Sequence, residues 1–89
     1  MARDAAAPLD TYGWILLEHG ELQQAKALLL RAYEAAPDFP SIAYHYAVAL
    51  TRTNDPREAK RVLQPVLDNG EHFPERKKAL ALLRGMGRN

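Results

Sequence analysis

Residues 12–40 read YGWILLEHGELQQAKALLLRAYEAAPDFP, and residues 46–74 read YAVALTRTNDPREAKRVLQPVLDNGEHFP, the same pattern displaced by 34 positions. The displacement sets Tyr12 on Tyr46, Leu16 on Leu50, Ala25 on Ala59, Lys26 on Lys60, Leu29 on Leu63, Phe39 on Phe73 and Pro40 on Pro74. Gly13 meets Ala47, Gly20 meets Asn54, Glu21 meets Asp55 and Leu28 meets Val62. Small residues thus fall on small ones, turn formers on turn formers, and apolar residues on apolar ones. Self-similarity at one fixed period marks a chain built from repeated supersecondary units.

The small residues have a packing reason. Two helices approach to about 8–10 Å only where the side chains between them are small. Gly13, Ala25 and Ala32 fill that role in the first unit, and Ala47 and Ala59 in the second. Around them Tyr12, Leu16, Leu28, Leu29, Tyr46, Leu50, Val62, Leu63 and Leu67 recur at helical intervals and read as core.

Boundary signals divide the chain into five helices. The first is expected over about 9–19, stopped by Gly20, and the second over 22–35, closed by Pro37 and Asp38. The third begins near Pro40 and ends before Asn54. Asp55-Pro56-Arg57-Glu58 combines an acidic N-cap, a first-turn proline and a glutamate three residues after the cap, a strong helix start. The fourth helix carries Pro65 in its interior, which is expected to kink it, and closes at Gly70. A fifth starts at Pro74 and fades at Gly85 and Gly87. The expected organisation is a flexible segment 1–8, a first helical hairpin 9–39, a second 40–73, a capping helix 74–86 and a tail 87–89.

The ordered set Leu9, Tyr12-Gly13, Leu16, Gly20, Ala25, Leu29, Ala32 and Pro37 resembles the tetratricopeptide repeat pattern. The second copy, Ala43, Tyr46-Ala47, Leu50, Asn54, Ala59, Leu63 and Val66, is looser, with Glu71 where the family has proline. The resemblance covers roughly residues 6–73 and implies an all-α superhelix of two helix-turn-helix repeats with a final capping helix. A second, shorter resemblance is to the C-terminal ends of bacterial repeat proteins associated with exosortase and exopolysaccharide systems. It rests on Leu9-Asp10-Thr11-Tyr12-Gly13-Trp14 and Phe73-Pro74-Glu75-Arg76.

Eighty-nine residues without cysteine make one domain with no disulfide and no thiolate chemistry. No apolar run approaches the roughly 20 residues of a membrane span, and residues 1–8 do not form a signal peptide. The chain reads as soluble, in the cytoplasm or, where the parent chain is exported, in the periplasm. Two repeats are few for a stable solenoid. The start therefore points to a unit of a longer chain or to one that stacks on itself.

A search for chemistry finds little. His19, His45 and His72 lie far apart in sequence, without the close spacing of a zinc motif, and read as surface or partly buried side chains. Ser41, the only serine, sits in a first helical turn, with no nucleophile elbow around it. No phosphate loop or dinucleotide fingerprint is present, so no enzyme, cofactor or metal is expected. Residues 1–45 carry a net charge of −3 and residues 46–89 one of +4. No aromatic residue is interleaved with Arg57, Arg61, Arg76, Lys77 and Lys78, so this basic half reads as a solvated cap rather than a nucleic-acid surface.

The resemblance implies a concave face lined by the first helix of each hairpin, where peptides or proteins bind. Its positions fall at Asp10, Trp14, Leu17 and Glu18 in the first helix and at Ser41, Tyr44, Val48, Thr51 and Arg52 in the third. Trp14, Tyr44 and Val48 would form an apolar strip between Glu18 and Arg52. Mutual packing of Trp14 and Tyr44 is the competing reading. Modules of the family that clasp a C-terminal carboxylate carry Lys and Asn where this chain has Asp10 and Trp14, and Asn where it has His45, so an acidic peptide tail is not the expected ligand. Two functions follow. One is a protein-binding module, and the other is a structural cap of a longer solenoid, including a role in bacterial exopolysaccharide or protein-sorting assembly. Weak homodimerisation through the apolar exterior of the first helix, around Leu9, Ile15 and Leu16, is also expected.

Overall fold

The computed structural model describes residues 3–70 and 72–86. After a 3-10 turn at Arg3–Ala5 it comprises five helices, α1 (Ala6–Glu18), α2 (Leu22–Ala35), α3 (Pro40–Arg52), α4 (Pro56–Asp68) and α5 (Arg76–Met86). No strand occurs among the described residues, and the fold is all-α. Each helix packs on the next, and α1 also touches α3. α5 reaches α3 where Met86 meets Thr51, and the side shared by α1, α3 and α5 is the inner face.

The two hairpins turn by the same device. Gly20 has φ +83° and Asn54, one repeat later, has φ +68°, the left-handed conformation that ends a helix. In both turns the amide beyond that residue reaches back across the helix end: Glu21 N–H donates to the Leu16 carbonyl at 2.9 Å and Asp55 N–H to the Leu50 carbonyl at 2.8 Å. Asparagine tolerates this conformation better than most side chains. The N-cap expected at Asp55 forms, its carboxylate accepting from the Glu58 amide at 3.4 Å. The Glu58 side chain bonds Arg61 instead of closing a capping box.

α1 and α2 meet at Gly13. A Cβ there would lie 2.7 Å from Leu29 Cγ and 2.9 Å from its Cδ2, both inside contact distance. Glycine in mid-helix costs about 0.5–1 kcal/mol relative to alanine, so its presence reflects this approach. Leu29 faces Gly13, and Ala25, the other small position named for this hairpin, is fully buried in the cluster that holds Leu29. Leu29, Leu17, Leu63 and Val62 are the largest side chains buried almost without exposure, and Ala43, Ala47 and Ala59 fill the narrow gaps between them.

Three expectations are revised. Residues 3–8 are not a flexible segment: α1 starts at Ala6, which is completely buried with Ala32, Ala35, Ala36 and Ile42. Pro8 is tolerated in the first turn, where its missing N–H would have no partner. Arg3 adds a 2.7 Å ion pair to Asp38 and lies 5.4 Å over the Phe39 ring, and its hydrogen bond holds the Asp38 carboxyl below the usual carboxylate range. Tyr12 is not core but 58 % exposed, whereas its repeat-mate Tyr46 is 5 % exposed. Tyr46 is covered by α2, whose Tyr33 ring lies 5.4 Å away. Leu16 and Leu28 are likewise only half-buried. Last, α5 begins at Arg76 rather than Pro74, because Pro74 and Glu75 form the turn that leads into it. Glu71 and the tail 87–89 lie outside the described residues.

Filling the Gly13 contact is expected to destabilise. Gly13→Ala gains helix propensity of about 1 kcal/mol at most, but overpacking against buried Leu29 costs about 1–3 kcal/mol. A lower thermal midpoint by circular dichroism is expected for Gly13→Ala and for Ala25→Leu, and unchanged melts would contradict the packing described.

Candidate functional site

The inner faces of α1 and α3 and the start of α5 converge on His45. Its Nδ1 lies 2.7 Å from Asp10 Oδ1 on α1, and its Nε2 lies 3.8 Å from Glu75 Oε2 in the turn before α5. Ser41, one turn earlier on α3, donates its Oγ–H to Glu75 Oε1 at 2.7 Å. The indole of Trp14 stacks on the imidazole, with ring centroids 4.3 Å apart and planes inclined by 31°. All three ionisable side chains are largely shielded from solvent, His45 the most, with 13 % of its side chain exposed.

Tyr44 flanks this cluster, its ring 6.4 Å from Trp14 and 5.8 Å from His45. Burial pushes its hydroxyl pKa up, the Glu75 carboxylate adds to that, and Arg52 opposes it. At the other end of α3, Thr51 donates to the Ala47 carbonyl at 2.8 Å and touches Met86 Sδ of α5 at 3.8 Å.

The nine positions named from the sequence separate into two groups. Trp14, Asp10, Ser41 and Thr51 are partly accessible, and Glu18 and Arg52 are exposed. Leu17 is 1 % exposed and belongs to the central cluster with Leu29 and Ala47, so a ligand on this face does not reach it. Tyr44 and Val48 are 9 % and 8 % exposed, so the expected apolar strip is mostly internal packing. Of the three residues of that strip, Trp14 alone is partly accessible. Ser41 does not cap α3, and its hydroxyl donates instead to Glu75.

His45 and Glu75 were not among the expected site residues. The repeat itself holds the signal: Ser41 and Glu75 are 34 residues apart, and Asp10 and His45 are 35 apart, so residues one period apart on inner helices become neighbours.

Two open grooves border this face. One of about 280 Å³ runs beside Asp10 and is lined by Ala7, Thr11, Pro40, Ser41 and Ile42. One of about 360 Å³ lies among Thr51, Asn54, Pro56, Leu82 and Met86. A larger groove of about 670 Å³ sits elsewhere, between the α2–α3 turn and the end of α4, and shares none of the nine positions. Among the described residues no group of three or more histidines or carboxylates is arranged to hold a metal ion, and no helix is long and apolar enough to cross a membrane.

Comparison with known proteins places residues 16–83 on a family model described as tetratricopeptide repeat. No curated protein and no solved structure matches the chain. The match carries the broad repeat pattern and not the narrower resemblance to exosortase-associated proteins.

Removing the Ser41 hydroxyl leaves Glu75 with one donor fewer in a partly buried setting. Ser41→Ala is expected to lower stability by about 1–2 kcal/mol, read as a lower urea midpoint. An unchanged midpoint would show that the bond to Glu75 contributes nothing.

Proposed function

We propose, for a chain that belongs to the tetratricopeptide repeat family, that the face formed by α1, α3 and the start of α5 binds a protein or peptide partner without catalysis. Members of this family act as protein-interaction scaffolds. The observation that carries the reading is Trp14, the chain's only tryptophan, held partly accessible on a rigid helix by its stack on His45. A pre-positioned aromatic ring loses little side-chain entropy on binding, and tryptophan and arginine are the residues most often found at interface hot spots. Exposed Glu18 and Arg52 flank it with opposite charges and would orient a partner of complementary charge pattern. The partner supplies an apolar anchor for the indole and polar groups for its rim.

A second reading has its own observation. The outward face of α1 exposes Tyr12 and Ile15 at 58 % and 46 %, while the equivalent Tyr46 and Ala49 are covered. Such a face suits stacking against another helix, in a longer solenoid or in a weak dimer of this chain.

The two readings separate by experiment. Trp14→Ala, and the double charge reversal Glu18→Lys with Arg52→Glu, are expected to weaken partner capture at least tenfold. Arg57→Glu, on the exposed first turn of α4, leaves capture intact. Equal capture by all variants would remove the α1–α3 face from the interaction. For the second reading, sedimentation at rising concentration is expected to show a weak dimer that Ile15→Glu abolishes. A strictly monomeric chain would contradict it.

A further inference from the structure

We propose that a second copy of this chain covers the outward face of α1, and that it does so head to tail, with the exposed face of its α5. This rests on the second reading above, in which another helix stacks on the outward face of α1, and names that helix.

The period of 34 residues shows what each face is suited to receive. On α1, Pro8, Tyr12 and Ile15 share one exposed side. Their repeat-mates Ile42, Tyr46 and Ala49 are all buried, with Tyr33 of the preceding helix beside Tyr46. On α5 the relation concerns the helix that follows. Ala81 is the third in the series Gly13, Ala47, Ala81. Gly13 sits against Leu29 of the following helix and Ala47 is completely buried, whereas Ala81 is exposed. One face thus presents large apolar side chains, and the other presents the small position that elsewhere in this fold receives one.

Charge selects the pairing. Residues 1–45 carry a net charge of −3 and residues 46–89 one of +4. On the faces themselves, exposed Glu18 lies one turn beyond Ile15, while exposed Lys77, Lys78 and Arg84 surround Ala81 on a helix that has no acidic residue. Two α1 faces would bring two acidic halves together, and two α5 faces two strongly basic helices. α1 against α5 joins opposite signs, which steers the encounter and fixes the register. The spacings agree when the two helices run antiparallel. Glu18, Ile15 and Tyr12 follow at steps of three residues, about 4.5 Å along the axis, and so do Lys78, Ala81 and Arg84. In that register Glu18 meets Lys78, Ile15 lies over Ala81, and the Tyr12 ring meets the Arg84 guanidinium in a cation–aromatic contact. The negative end of the α1 dipole also meets the positive end of the α5 dipole.

One helix laid on another buries less than the roughly 1,000 Å² of a stable interface, so the association is weak and rises with concentration. Salt, which cuts the reach of charge to about 3 Å at 1 M, disperses it. A contact between unlike faces also makes a decisive experiment available. Two variants are sedimented, alone and mixed. Ile15→Lys sets a cation against basic α5 but leaves its own α5 intact, and Ala81→Arg fills the small position but leaves its own α1 intact. Both sites are exposed, so the fold is retained. Each variant alone is expected to stay monomeric where the unaltered chain associates, and an equimolar mixture to regain a dimer and nothing larger, because one sound face of each kind remains. A mixture that stays monomeric, or an Ala81→Arg chain that associates as the unaltered chain does, overturns the proposal. In the second of these cases, with Ile15→Lys monomeric, the outward face of α1 still self-associates and the second reading stands. An unaltered chain that is monomeric throughout removes both. Should either variant lose its helical circular dichroism, Ile15→Gln or Ala81→Gln takes its place.

Discussion

Leu29 occupies the space that a side chain at Gly13 would need, and the rest of the fold is arranged around that contact. It brings α1 close enough to α2 for Leu17, Ala25 and Leu29 to share one dry cluster. It also fixes which way α2 faces. From there α2 turns Tyr33 toward Tyr46, and α4 packs in turn on α5. In the second hairpin the matching residues are Ala47 and Leu63, both completely buried. That hairpin therefore accommodates one extra methyl group at the equivalent point, and its two helices meet less extensively than α1 and α2. Close packing leaves no slack to absorb larger changes at these positions.

Much of this architecture was legible because a period of 34 residues encodes geometry as well as composition. Gly20 and Asn54 announced two turns of one kind, and both adopt the left-handed conformation with matching backbone bonds. The helix α2 has the limits that Leu22, Pro37 and Asp38 suggested. Legibility ended where a residue's fate depends on a neighbour that its own segment does not reveal. Tyr12 and Tyr46 look alike in the pattern, yet Tyr46 is buried beside Tyr33 of α2 and Tyr12 is exposed. Ala5–Ala7 gave no cap signal, so the early start of α1 was visible only once Ala6 was seen buried between α2 and α3.

The face shared by α1 and α3 shows the same division. The resemblance placed Trp14, Leu17, Glu18, Tyr44, Val48 and Arg52 on one binding face, but it could not tell that Tyr44 and Val48 are covered by their neighbours or that Leu17 is buried. The charged cluster escaped for a related reason. Asp10, His45 and Glu75 belong to three separate segments, so no single stretch of sequence shows the cluster. A carboxylate–imidazole–carboxylate arrangement gives the face a rigid floor under Trp14.

The central claim is that steric fit between Gly13 and Leu29 sets the spacing of the first hairpin, and a double-mutant cycle in denaturant tests it most directly. Gly13→Ala alone should lower stability, whereas in the background of Leu29→Ala the added methyl finds the vacated space and its cost should vanish or reverse. The resulting coupling should fall within the range of about 0.5–3 kcal/mol seen for residues in contact. Additive effects of the two substitutions would contradict the account, because they would mean that Gly13 is present for a reason other than the side chain opposite it.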